Sequence, residues 1–463
     1  MKGSISDRLE LRIRHLMIWV MVFHSLLTRA SILFLVLALA QPASAVTLLR
    51  DAGMEYGLKQ VATPVLKAAG LSPARVKILV VDDSSLNAFV VGVDAIYVHS
   101  GLLSRMDNAA MLQGVIAHEA AHIVNGHITR RLTNLGAART AAALGIALAA
   151  LAAAAGTAEG ATGIAIGTQS AAQRAFLRHT RAEESSADQS ALRYLKSAGI
   201  PTSGLLDVMR LFRGQEALSG NRQDPYVRSH PLSRDRVRVI ESFAAAYPGP
   251  AENTAASDYW FQRVKGKLTA YKRAPRWTMR RLGETGYADV RLIREAVAHN
   301  RNSNVKKAVG AVDKALAQRP QDPFLHDLRG EVLMDARQFG AAVNAYGRAV
   351  QLAPRDGLIQ AGYGRALLAA GRVKEARGAL ERARAIDFRD GSMLRDLSVA
   401  YARSGQKGMA SLVTAERYAL SGRLQDAGIH AKRAVGLLPE GSGPWRRASD
   451  VLIAAERAAK KRR

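Results

Sequence analysis

The sequence predicts a mainly α protein in which an α+β domain with a small sheet precedes an α-solenoid. Two observations carry this. Residues 46–246 mix helical spacing of apolar residues with short apolar runs that read as strands. Beyond residue 257 the chain repeats: Pro320, Pro354 and Phe388 fall at intervals of 34, the period of tetratricopeptide helix pairs. The 463 residues suffice for two or three domains of roughly 150 residues each. A hydrophobic content of 48% can bury a core, so the bulk of the chain is not disordered.

Lys and Arg number 66 against 39 Asp and Glu, a formal charge of +27. Such an excess suits an anionic surface or an acidic partner. The basic residues are scattered and no DNA- or RNA-reading module is present, which excludes nucleic acid and favours peripheral contact with a membrane or another polyanion. Without cysteine there are neither disulfides nor thiolate metal sites, so any metal ligand must be His, Asp or Glu.

Residues 1–45 read as a signal peptide. Lys2, Arg8, Arg12 and Arg14 precede apolar runs at Leu16 to Phe23 and Ala30 to Ala40, followed by Ala43-Ser44-Ala45. A basic start, an apolar stretch and an A-x-A site imply export with cleavage after Ala45. An uncleaved anchor is the alternative, but His24, Ser25, Thr28 and Arg29 interrupt its span. A cysteine-free exported chain fits the periplasm.

In residues 46–246, a helix over about 46–70 carries Leu58, Val61, Val65 and Leu66 on one face. Residues 77–81 read as a strand, and 87–92 with 95–99 as a hairpin. Such a strand beside the next helix is either an edge for an extended peptide or plain core sheet. That next helix, about Asp107 to Leu132, holds His118-Glu119-Ala120-Ala121-His122. Histidines four apart share a helix face and can bind one zinc ion, with Glu119 as general base for its water. The pattern implies a zinc hydrolase, most plausibly a protease, that still lacks one protein ligand.

A carboxylate in Arg181-Ala182-Glu183-Glu184-Ser185-Ser186-Ala187-Asp188 supplies it, Glu184 in our reading with Glu183 the alternative. Asp188 can hydrogen-bond a ligand histidine, and Arg181 can steady a carboxylate. Between the two motifs, residues 141–170 are rich in Ala and Gly and read as core packing or as a surface for lipid or unfolded substrate. Pro231 holds His230 extended, so His230 can bind substrate or close an open metal position.

These motifs together resemble the HtpX and CAAX-prenyl-endopeptidase superfamily of zinc metallopeptidases. Its H-E-x-x-H, E-x-x-A-D and S/T-H-P motifs, with an Arg six residues after the last His, match His118 to His122, Glu184 to Asp188, and His230 with Arg236. The resemblance implies a zincin-type metallopeptidase domain with one zinc ion. It picks Glu184 over Glu183 as ligand and makes His230 and Arg236 active-site residues, either of which would stabilise an oxyanion. Strong membrane helices are lacking, as in the soluble exported branch.

Tyr247 to Asn253 begins a linker at 247–256, and residues 257–463 read as tetratricopeptide repeats. Gly330, Ala342, Tyr346 and Ala349 hold the small and aromatic packing positions; Gly364, Gly371, Ala376, Leu380 and Ala383 repeat them. Ala296, Ala308 and Ala315 do so weakly before. After residue 405 the register slips by about half a period, as a helix shared between two repeats would cause. Repeats on such a peptidase resemble the BepA-type protease and chaperone group. That likeness implies partners in the outer-membrane barrel-assembly machinery and unfolded outer-membrane proteins. A binding module with a latent protease and a membrane-anchored processing enzyme are the competing readings.

Overall fold

A computed structural model describes residues 47–130, 180–215, 218, 223–250 and 254–460. The expected signal peptide and the 141–170 segment lie outside them. Among the described residues no helix is long and apolar enough to cross a membrane.

The first strand, β1 (Leu48–Leu49), lies where a continuous helix is expected from residue 46. It pairs antiparallel with Val80 and Val81. Helix α1 (Ala52–Ala68) starts only after Asp51, whose carboxylate accepts from the Met54 N–H at 2.8 Å, a cap that ends the extended stretch. Strand β2 (Lys77–Val81) runs parallel to β4 (Ala95–His99), and β3 (Ala88–Val90) closes the hairpin against β4. The sheet order β1-β2-β4-β3 makes β3 an edge.

After α2 (Ser100–Arg105), α3 (Ala109–Val124) is buried at every position from Ala109 to Ile123. A helix without a solvent face belongs at the centre of a core, and α3 packs against α1, α4 (Arg181–Ser197), α5 (Ser203–Leu211) and the hairpin. It stops short of the expected Leu132 because Gly126 takes φ +69°, after which a new helical turn begins at His127. The crossing with α5 is backbone on backbone: a Cβ at Gly204 would lie 2.3 Å from the Ala110 carbonyl carbon. Helices α6 (Pro225–Ser229) and α7 (Arg234–Ala246) complete this part.

Residues 247–256 do not separate two cores. Helix α8 (Ala255–Lys272), expected to open the repeats, buries Phe261, Val264 and Leu268 in the same cluster as Leu58, Val61 and Ile116. Gln113 on α3 donates to Val61 O at 3.0 Å and to Ser257 Oγ at 3.3 Å, tying α1, α3 and α8 together. After α9 (Pro275–Met279) the helix pairs are α10 (Ala288–Arg301) with α11 (Val305–Gln318), and α12 (Pro323–Asp335) with α13 (Phe339–Leu352). They continue as α14 (Gly357–Ala369) with α15 (Val373–Ile386), and α16 (Gly391–Arg403) with α17 (Lys407–Leu420).

The turn inside each pair has one left-handed residue: Ser303, Arg337, Gly371 and Gly405, spaced by 34, with φ between 56° and 79°. Gly422 repeats that turn only 17 residues after Gly405. Helix α17 is thus the second member of its own pair and the first member of a pair with α18 (Leu424–Val435); it also touches α19 (Gly443–Lys460). Small residues set the helix spacing within and between pairs, since a Cβ at Gly330 would lie 2.6 Å from the Tyr346 ring.

Candidate metal centre

His118 and His122 lie one turn apart on α3, and their Nε2 atoms approach to 3.1 Å. The Glu184 carboxylate comes within 3.4 Å of His118 Nε2 and 3.3 Å of His122 Nε2. His230 Nδ1 is 3.1 Å from Glu184 Oε1 and 3.3 Å from His118 Nε2. All four side chains are buried and can place one ligand atom each within 4.8 Å of the others. Glu183 is engaged elsewhere. It forms a capping box with Thr180, accepting from the Thr180 N–H at 3.0 Å while Thr180 Oγ1 accepts from the Glu183 N–H at 3.2 Å. That box points Glu183 outward and turns Glu184 into the core.

Both helical histidines are held from behind. Asp188 Oδ1 lies 3.0 Å from His118 Nδ1, and His127 Nδ1 lies 2.8 Å from His122 Nδ1. With each Nδ1 approached from behind, each Nε2 faces the shared centre and offers a lone pair once its proton is released to an incoming ion. Two imidazole nitrogens and a carboxylate suit a zinc-like divalent ion, so the residues fit one.

Arg236, from α7, is the cation of the site. It donates to Asp188 at 2.6 and 2.9 Å and to Pro231 O at 2.9 Å, and it pairs with Glu184 at 2.8 Å. These bonds bear on two expectations. Arg181 is exposed on the first turn of α4, and the place beside the carboxylates belongs to Arg236. Arg236, expected as an oxyanion donor, has its guanidinium turned to those two carboxylates.

Glu119 is fully buried, and neither carboxylate oxygen has a hydrogen-bond partner among the described residues. His230 Nε2 lies 3.4 Å from its Oε1. That imidazole lies tilted against Tyr226 with ring centroids 4.6 Å apart, and Tyr226 stacks on Phe212. The short segment carrying them lies along the edge strand: the Tyr226 N–H donates to Leu86 O at 3.1 Å, and His230 Nε2 is 3.3 Å from Ala88 O. The strand read as a possible peptide edge lies at the edge of the sheet, and its Ala88 carbonyl, with that of Leu86 just before it, faces this segment.

Burial lowers the basicity of His118, but hydrogen bonds to Asp188 and Glu184 outweigh it and push its pKa up to about 10. Burial keeps His122 well below the ordinary imidazole range. Burial raises Glu119 against the opposing pull of His230 and His118. The same burial would raise Glu184, yet His230, Arg236 and the two helical histidines hold it well below the carboxylate range. One buried carboxyl is thus kept as an anion while its neighbour is poised to take a proton.

His127 and Tyr226 are site residues that sequence reasoning missed. Thr180-Arg181-Ala182-Glu183 is itself a capping-box signature and would have assigned Glu183 without any family register.

Residues 54–244 match the model of peptidase family M48, and residues 333–398 match a tetratricopeptide repeat model. The chain thus carries an M48 peptidase domain followed by tetratricopeptide repeats. It is 22% identical to the beta-barrel assembly-enhancing protease of Escherichia coli (strain K12), over 75% of this chain and 72% of that protein. It is 29% identical to the metalloprotease YcaL of the same organism, over 38% of this chain and 64% of that one. The crystal structure of MamA aligns with a TM-score of 0.28 at 18% identity, covering 36% of this chain and 95% of that one.

Proposed function

We propose that the protein is an exported zinc-dependent endopeptidase of the gluzincin type that acts in the periplasm. In this reading its repeats engage unfolded or misassembled outer-membrane proteins beside the barrel-assembly machinery. The observation that carries the chemistry is the convergence of His118, His122 and Glu184 beside the Glu119 carboxylate, which accepts no hydrogen bond among the described residues. The leader-like residues 1–45 support export, and the name of the Escherichia coli relative supports the substrate class.

His118, His122 and Glu184 would hold zinc, which supplies Lewis acidity for a water and for the scissile carbonyl. Glu119 takes the proton of the attacking water on a carboxylate oxygen and passes it to the leaving amine nitrogen. Burial favours the proton on Glu119, which suits this two-way role. Asp188 and His127 aim the two imidazoles, and Arg236 aims the two carboxylates.

His230 favours a latent resting form. Its imidazole sits between Glu184 and Glu119, and it covers the Ala88 carbonyl of β3. A substrate must displace it before Glu119 can reach a water. Cleavage of an unfolded protein by the zinc-loaded full chain tests this. Glu119→Gln should lower kcat by about 10²–10⁴-fold, and His230→Ala should raise activity several-fold. A fall in kcat with His230→Ala would make His230 a donor to the reacting carbonyl instead of a gate. Activity unchanged by Glu119→Gln would refute the general-base assignment. Binding of unfolded protein without cleavage by any variant would favour a chaperone or adaptor.

A further inference from the structure

A cleft of about 1030 Å³ lies between the outer face of α1 and the loops that join successive helix pairs. That volume is at the top of the roughly 300–1,000 Å³ typical of ligand sites, which leaves room for a short peptide segment. None of the residues of the metal centre lines it.

The floor of the cleft is aromatic. Tyr56 packs against Trp260 at 5.0 Å and Phe324 at 4.8 Å, yet remains 39% exposed. Its acids are all engaged from within the protein. Glu55 pairs with Arg50, Asp322 pairs with Arg263, Asp387 pairs with Arg50 and Lys77, and Asp356 caps α14. Two cations are not engaged. Lys59 on α1 and Arg355 in the loop before α14 are exposed, and their side chains form no ion pair or hydrogen bond among the described residues. The cleft thus offers an apolar floor between two exposed positive charges, with the nearby acids already held by cations or, for Asp356, by the helix N-terminus it caps.

We propose that this cleft is a docking site for an extended polypeptide segment that bears an aromatic side chain beside carboxylates. The floor would take the aromatic ring, where stacking on the exposed Tyr56 adds to area burial. Lys59 and Arg355 would pair with the carboxylates, which sets the preference between acidic and basic segments. Because its two walls come from the peptidase helix α1 and from the repeats, an occupied cleft anchors a polypeptide to both parts of the molecule at a point apart from the metal centre. Binding there does not require a working peptidase.

The test uses the full chain as Glu119→Gln, so that no probe is consumed. The probe is a fluorescein-labelled peptide with a central tryptophan flanked by glutamates, followed by anisotropy. It should bind, with an affinity that falls as salt rises, and its counterpart with lysines in place of glutamates should not. Lys59→Glu with Arg355→Glu should weaken binding by about tenfold or more. Both side chains are exposed, so unchanged thermal unfolding of this variant would separate lost recognition from lost folding. Trp260 fluorescence should respond to a tryptophan-free phenylalanine version of the probe. Equal binding of the acidic and basic peptides, or unchanged affinity in the double variant, would overturn the proposal. So would binding of vesicles containing phosphatidylglycerol that displaces the peptide from the wild-type cleft, since lipid would then be the occupant. Peptide binding that persists with a catalytically silent wild type would leave the docking site standing and count only against the peptidase.

Discussion

His122 is backed by an imidazole, where His118 is backed by a carboxylate, and the two supports differ in strength. Asp188 is anionic and itself clamped by Arg236, so it holds His118 Nδ1 firmly and adds electron density to the ring. His127 offers its Nδ1 at 2.8 Å from His122 Nδ1, where an unprotonated imidazole nitrogen can accept the Nδ1 proton of His122. His127→Ala should therefore lower zinc affinity by about 10–100-fold, read by competition against a chromogenic chelator. His127→Asn, which keeps an acceptor near the same place, should recover much of that loss. An unchanged affinity in His127→Ala would remove His127 from the support of the site. The partnership was not legible in the sequence, because His127 is five residues from His122 and off the helical face that four-residue spacing marks. Only the left-handed Gly126 brings it round.

At the scale of elements, what the sequence discloses is what has a local cause. The His118–His122 pair follows from helical periodicity, and the hairpin of β3 and β4 from its apolar runs. The solenoid is legible for the same reason, since every repeat restates one local rule. Its turns restate it least evenly: Gly371 and Gly405 adopt positive φ freely, but Ser303 and Arg337 do so against their side chains. Arg337→Gly should stabilise the protein by about 1 kcal/mol, measured by urea unfolding, because the exposed Arg337 side chain makes no ion pair or hydrogen bond among the described residues to offset the strain. A loss of stability would show that the longer side chain holds the turn. Elements whose cause is distant were not legible. Nothing near α8 announces that Phe261, Val264 and Leu268 belong to the core of a domain that ends before it, and nothing near Arg236 announces Asp188 and Glu184.

Across the whole molecule, charged side chains lock the peptidase part to the repeats. Asp387, between α15 and α16, receives Arg50 at 2.7 Å and Lys77 at 2.9 Å, and Arg389 reaches Asp94 at 2.8 Å. Burial would raise the Asp387 pKa, but Arg50, Lys77 and Arg389 overcome it and hold it far below the usual range. A depressed folded pKa means that the contribution is complete above the ordinary carboxylate value near 4 and is lost as pH falls below it. Asp387→Asn should thus cost roughly 1.5–3 kcal/mol at neutral pH and progressively less in acid, followed by urea unfolding at both extremes. A cost that does not change with pH would mean that shape, not charge, holds the two parts together. The shared helix α17 has a different consequence, one for whatever lies along the repeats. Up to Gly405 the array is a ruler with marks 34 residues apart; at Gly422 the marks jump by half a division. A polypeptide that reads the first helices of successive pairs in step loses its phase there. The last helices then act as a second, offset ruler, so the two ends of the array can recognise different sequences within one bound chain.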